Sequence, residues 1–117
     1  MTTDKVSIYE AKEYLKDRDE VTKHILNNVL ITRIRQLTKF GIQNHDDFTW
    51  FAILSEEIGE VAKEIVDNNF TKSVQERHTT HESMKYEIID CIAVCVSWLD
   101  NIEKRTLAEI DNEGYKT

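Results

Sequence analysis

Two acidic pairs in this 117-residue chain have residue types and spacing suited to holding a cation. The first lies in Glu56-Glu57-Ile58-Gly59-Glu60, where Glu57 and Glu60 are three apart. The second is Glu87-Ile88-Ile89-Asp90, with Glu87 and Asp90 also three apart. Residues three apart on a helix project from one side. If the two helices pack antiparallel, the pairs face each other and four carboxylates line one crevice. Such a crevice is costly. Like charges at this spacing weaken a helix, and burying each ion costs several kcal/mol, against a total domain stability of about 5–15 kcal/mol. Lys63 and Lys85 are the near cations and are too few to neutralise four acids. A hard divalent cation removes the difficulty, since carboxylates and water suit Mg²⁺ or Mn²⁺.

The donor set narrows the choice of metal. Di-iron bundles use Glu-x-x-His, and no histidine here lies three after a glutamate. Zinc favours His or Cys ligands, and none accompanies the four acids. Magnesium keeps several waters and also binds substrate phosphates. A carboxylate site with open positions therefore points to phosphate chemistry. A solvated helix face would carry Glu-Glu-x-x-Glu equally well. The second pair is more specific, because Asp90 sits between Ile89 and Cys91 in an apolar run, and the two pairs have matching spacing on consecutive helices.

The elements that must position these acids are helices. The chain has no proline and three glycines, and proline is the residue that helix interiors exclude most strongly. Residues 1–19 form a weakly amphipathic start, a short helix or a frayed arm, and residues 20–117 a single helical domain. Val21, Ile25, Leu26, Val29, Leu30, Ile34 and Leu37 recur at three- and four-residue steps, which predicts a helix over about 20–39, stopped by Gly41. After a loop over 41–47, Asp46 or Asp47 caps a helix that runs to about Asn68. Phe51, Leu54, Ile58, Val61, Ala62 and Ile65 form its apolar stripe, and Glu56, Glu57, Glu60 and Glu64 flank it. A polar loop over 69–79 follows. Thr79-Thr80-His81-Glu82 fits a capping box and predicts a helix to about Asn101, with a short helix or tail beyond. Ile88–Leu99 is apolar nearly all round. A helix of that kind is buried on most sides, which implies that a second copy completes the core.

The bulk numbers exclude several classes. Net charge −7 and a pI near 5.1 argue against a nucleic acid polymer as ligand, because a backbone binder needs a basic face. They leave a phosphorylated small molecule open, since a bound cation reverses the local sign. No apolar run reaches the roughly 18 residues of a membrane helix. Residues 1–20 do not read as a leader, so the expectation is a cytoplasmic protein without a membrane anchor. Cys91 and Cys95 lie four apart in an apolar run and read as small core residues.

The pattern Glu56-Glu57-x-x-Glu60, then 26 residues, then Glu87-x-x-Asp90 resembles the signature of the MazG-like all-α nucleoside triphosphate pyrophosphohydrolases. The likeness extends to Phe40-Gly41-Ile42-Gln43-Asn44-His45, to Trp50 through Val61, and to Tyr86 through Val94, and covers about residues 33–101. It implies an antiparallel helical bundle with Mg²⁺ (or Mn²⁺) held by Glu57, Glu60, Glu87 and Asp90, and Glu56 close by. It also implies a metal-activated water attacking between the α- and β-phosphates of a nucleoside triphosphate, with pyrophosphate released. A homodimer or dimer of dimers goes with it. The family's basic phosphate-contacting tail does not align with Asp100 to Arg105, where Lys104 and Arg105 are candidates beside Lys63.

Other residues have two readings. Gln43, Asn44 and His45 precede the first acidic helix and could read a base edge or touch phosphate, or simply stabilise their own loop. Trp50 could stack on a nucleobase or pack in the core, whereas Trp98 reads as core. His78 and His81 read as surface residues. The alternative to an enzyme is a non-catalytic helical module that binds a nucleotide or a protein partner.

Overall fold

The computed structural model describes residues 5–70 and 74–114, the side chains of 74–81, 113 and 114 excepted. Among these, four helices and no strand are found: α1 (Ile8–Lys16), α2 (Asp19–Phe40), α3 (Asp47–Asn69) and α4 (Val74–Gly114). The fold is all-α. Among the described residues, no helix is long and apolar enough to cross a membrane.

Local chemistry explains most of the boundaries. α1 is a helix because its start is capped: Ser7 Oγ accepts the Glu10 N–H at 3.1 Å, and the Ser7 N–H donates to Glu10 Oε1 at 3.3 Å, which is a capping box. None of its residues is buried. α2 stops at Gly41, whose N–H donates to the Leu37 carbonyl at 2.9 Å and whose φ of 74° lies where side-chain-bearing residues are strained. Of the two candidate caps for α3, Asp46 takes the role: its Oδ1 accepts the Thr49 N–H at 2.8 Å.

α4 departs from expectation at both ends. It begins at Val74 and continues to Gly114, so the backbone at Thr79 is already helical and is no cap, and the expected stop at Asn101 is passed. No proline interrupts the stretch and its glycine comes last, while its Gln, Glu, Arg, Lys and Leu residues are good helix formers. Polarity alone therefore misreads residues 74–79 as loop. Of the expected loop, residues 71–73 lie outside the described residues, as do the side chains of His78 and His81.

α3 runs antiparallel to α4: Asp47 meets Arg105, Trp50 meets Asn101, and Glu57 meets Asp90. α2 runs in the same direction as α4. Its Val21 to Asn28 stretch faces Glu82 to Ile92 across a cavity of about 510 Å³, and Arg33 pairs with Asp100 further along at 3.8 Å. Both helices therefore lean on α4, and the buried apolar residues, Val29, Trp50, Ala93 and Val94, lie in those two seams. The core is small for 117 residues.

Several side chains sit differently from the sequence reading. The apolar residues of α3 do not form one stripe: Trp50, Ile53, Leu54 and Val61 turn inward together with Glu57 and Glu64, while Phe51, Ile58 and Ile65 point outward. Trp98 is half-buried, not core, with its Nε1 donating to Asp47 Oδ1 at 2.9 Å. Cys91 and Cys95 are half-buried free thiols.

Candidate metal centre

The inward face of α3 carries Glu57 and the facing turn of α4 carries Glu87 and Asp90. One carboxylate oxygen from each lies within 4.8 Å of the other two. Such an approach of three anions follows from the helix period. Glu87 and Asp90 are one turn apart on α4, and Glu57 comes opposite them because the antiparallel register already pairs Trp50 with Asn101.

Charge and desolvation act together on these groups. Partial burial raises the Glu57 carboxyl above its ordinary value, and the charges of Asp90, Glu87, Glu60 and Glu56 raise it further. Burial raises Glu87, helped by Asp90, Glu60 and Glu64. Burial also raises Asp90, while the Arg35 guanidinium pulls it the other way. The neighbouring Cys91 thiol is raised by burial first and then by Glu57. All three carboxyls thus have unfavourable surroundings for their charged forms, and a divalent cation would reverse that balance. Three oxygen donors, without His or Cys among them, suit Mg²⁺ or Mn²⁺.

Glu60 was expected as the fourth ligand and stands outside this cluster. It lies one turn on from Glu57 and about 60° round the helix, exposed to solvent, yet near enough that its charge acts on both Glu57 and Glu87. Glu56 is also exposed on that flank. Arg35 is a residue that sequence reasoning missed. It comes from α2, a helix read only for its apolar rhythm, and no sequence signal pairs it with Asp90.

The other candidates gather elsewhere. Asn101, 6% exposed, holds the loop before α3 against α4. Its Oδ1 accepts the His45 N–H at 3.0 Å and the Trp50 Nε1–H at 2.8 Å, and its Nδ2 donates to the Gln43 carbonyl at 3.3 Å. The His45 ring meets Trp50 edge-on at 4.9 Å, and its Nε2 is enclosed without a partner. Trp50 is 2% exposed, so its ring offers no free face for a base and its place is in the core. Asn44 is exposed. This loop is anchored eleven residues along α4 from Asp90, about 16 Å at 1.5 Å per residue. A cavity of about 260 Å³ beside it is lined by Arg33, Gln36, Gln43 and Ser97 among others.

The cations proposed for phosphate are placed away from the acids or engaged. Lys104 pairs with Asp100 at 3.2 Å and Arg105 with Asp47 at 2.7 Å. Lys85 pairs with Glu82 at 3.1 Å. Lys63 is exposed on the outward side of α3.

Compared with models of protein families, with curated proteins and with solved structures, the chain has no match among any of the three.

Proposed function

We propose that this chain is a Mg²⁺-dependent nucleoside triphosphate pyrophosphohydrolase, cutting a (deoxy)nucleoside triphosphate to the monophosphate and pyrophosphate in the cytoplasm, as a homodimer or dimer of dimers of the MazG-like type. The observation that carries this reading is the meeting of Glu57, Glu87 and Asp90 oxygens within 4.8 Å across the α3–α4 seam, in a chain whose acidic motifs resemble that family.

Glu57, Glu87 and Asp90 are the residues that would hold the metal, with Glu60 at the open edge of the cluster. Mn²⁺ has the same ligand preferences. Bound there, the ion would shield phosphate charge and supply a water of lowered pKa for attack between the α- and β-phosphates. The chain's own residues do the rest. Glu56 and Glu60, exposed beside the cluster, are the carboxylates available to accept the water's proton. We assign to Arg35, whose charge acts on Asp90, the contact with a phosphate oxygen. To the loop of Gln43, Asn44 and His45, about three turns further along α4, we assign the base or sugar end of an extended ligand.

The test is a pyrophosphate-release screen over common and modified (deoxy)nucleoside triphosphates with Mg²⁺. Turnover should require the metal and disappear in Glu60→Gln and in Asp90→Asn. Release of orthophosphate alone, or equal release in excess chelator, would refute the reading.

One observation favours the non-catalytic alternative. Lys104 and Arg105 are already paired with Asp100 and Asp47, which leaves few cations for a triphosphate. On that reading the chain binds a nucleotide in a metal-dependent way without turnover, and calorimetry would record heat of binding with no product formed.

A further inference from the structure

We propose that the cavity of about 260 Å³ between the end of α2, the loop after it and α4 binds a small carboxylic acid in its ionised form, with Arg33 as the anchor. The site is separate from the carboxylate cluster, and the inference does not depend on the proposed activity.

Two helix faces and one loop make the cavity. On α2, Gln36 and Leu37 stand three and four residues after Arg33. On α4, Asp100 and Lys104 stand three and seven after Ser97. Residues at such steps share one face of a helix, so each set reaches the cavity together. Ile42 and Gln43 line it from the loop. Ser97 lies seven residues along α4 from Asp90, about 10 Å at 1.5 Å per residue. Gln43 also belongs to the loop assigned above to the base or sugar end of a nucleotide. The guanidinium and ammonium found here suit an anion, not a neutral base.

The observation that points to a ligand is an unspent donor. Arg33 Nε is enclosed and has no hydrogen-bond partner. Its ion pair does not meet the need. Asp100 Oδ2 is 3.8 Å from Arg33 Nη2, beyond hydrogen-bond length, and the same oxygen is held by Lys104 at 3.2 Å. Two cations against one carboxylate leave one positive charge over. An enclosed donor without an acceptor is costly, and more so on a charged group. Water would accept the N–H and leave the charge unmatched.

Charge and shape choose among anions. A carboxylate places two oxygens in one plane, which the guanidinium fork meets with two parallel N–H bonds. Its single charge equals the surplus of the site. Phosphate-type ions carry more charge, and a chain of net charge −7 repels them more strongly. The amides of Gln36 and Gln43 and the Ser97 hydroxyl add neutral donors for the remaining lone pairs. Leu37 and Ile42, both exposed to solvent, give a short alkyl chain an apolar wall. A volume of about 260 Å³ falls below the roughly 300–1,000 Å³ of pockets for larger ligands, so the acid is one of few carbons.

The experiment is a titration of the full chain with sodium butyrate, followed by heteronuclear NMR at an ionic strength held constant with sodium chloride. The Arg33 Nε–H and the side-chain amides of Gln36 and Gln43 should shift along a saturable curve, with a Kd of about 1 mM or below. The Arg35 Nε–H, two residues on, should shift far less. Methyl butyrate has the same alkyl chain and no charge, and should give no saturable shift. Inorganic phosphate should bind about tenfold more weakly than butyrate or worse. Arg33→Gln should weaken butyrate about tenfold or more with unchanged helical circular dichroism, and Ser97→Ala, which leaves both ion pairs in place, should weaken it by a smaller factor. Shifts that grow linearly with butyrate, a methyl ester that binds as well as the acid, or full affinity in Arg33→Gln would overturn the inference. Phosphate binding more tightly than butyrate would overturn the choice of a carboxylic acid.

Discussion

The indole Nε1–H of Trp50 donates to Asn101 Oδ1 at 2.8 Å, with both residues enclosed at the α3–α4 seam. The same oxygen accepts the His45 N–H, so one side chain satisfies two donors that the fold removes from water. That bond sets the register in which Glu57 comes opposite Asp90.

Asn101→Ala should therefore cost more than a surface substitution. It strands the Trp50 and His45 donors, each worth about 1–3 kcal/mol when buried unpaired, so the expected loss is about 2–4 kcal/mol in urea unfolding. A change below about 0.5 kcal/mol would show that water replaces Asn101 without penalty.

Gly41→Ala places a Cβ at φ 74°, ψ −172°, a region open to glycine alone. Nothing crowds the site, so the cost is backbone strain, about 1–3 kcal/mol. Thermal unfolding should show it as a lowered midpoint with helicity preserved.

Mg²⁺ should stabilise the fold. A ligand at 100 times its Kd contributes about 2.7 kcal/mol, which raises Tm by several degrees in a chain of this size. Asp90→Asn should remove that shift while making the metal-free protein more stable, because it deletes one of three crowded anions. A Tm indifferent to Mg²⁺ in wild type would count against the site.

The pH dependence of the metal-free protein has a definite sign. The carboxyls of Glu57, Glu87 and Asp90 are all raised by burial, and the first two also by neighbouring acids. The folded state therefore binds more protons than the unfolded state between the ordinary carboxylate range and these raised values. The stabilisation from protonation is full below the ordinary range and is lost as pH rises through the raised values. Stability should climb as pH falls from neutrality into that window. With Mg²⁺ the trend should reverse, since protons and metal compete for the same oxygens.

Arg35→Ala should leave urea stability nearly unchanged, since Arg35 is exposed. It should raise the Asp90 carboxyl further, because it removes the one charge that lowers it. If Arg35 meets phosphate, KM for the nucleotide should rise about tenfold or more, the scale of one charge-assisted hydrogen bond. An unchanged KM would place the phosphate elsewhere.

Much of this protein is decided by local chemistry and is legible in its residues. An apolar period of 3.6, an absence of proline, Gly41 after Phe40 and Asp46 before α3 are short-range facts, and they set the all-helical class and the limits of α2 and α3. The three-residue spacing of Glu57 to Glu60 and of Glu87 to Asp90 is likewise local. Tertiary packing decided the rest. The helix period places Glu60 one turn from Glu57, but only the position of α4 turns Glu57 inward and leaves Glu60 in solvent. It divides the apolar residues of α3 into an inner and an outer set, draws Trp50 into the core, and brings Arg35 from a third helix to Asp90. A single helix fixes the angles between its own side chains. Which of those angles points at a neighbour depends on the register and direction of helices distant in sequence, and no local spacing encodes that.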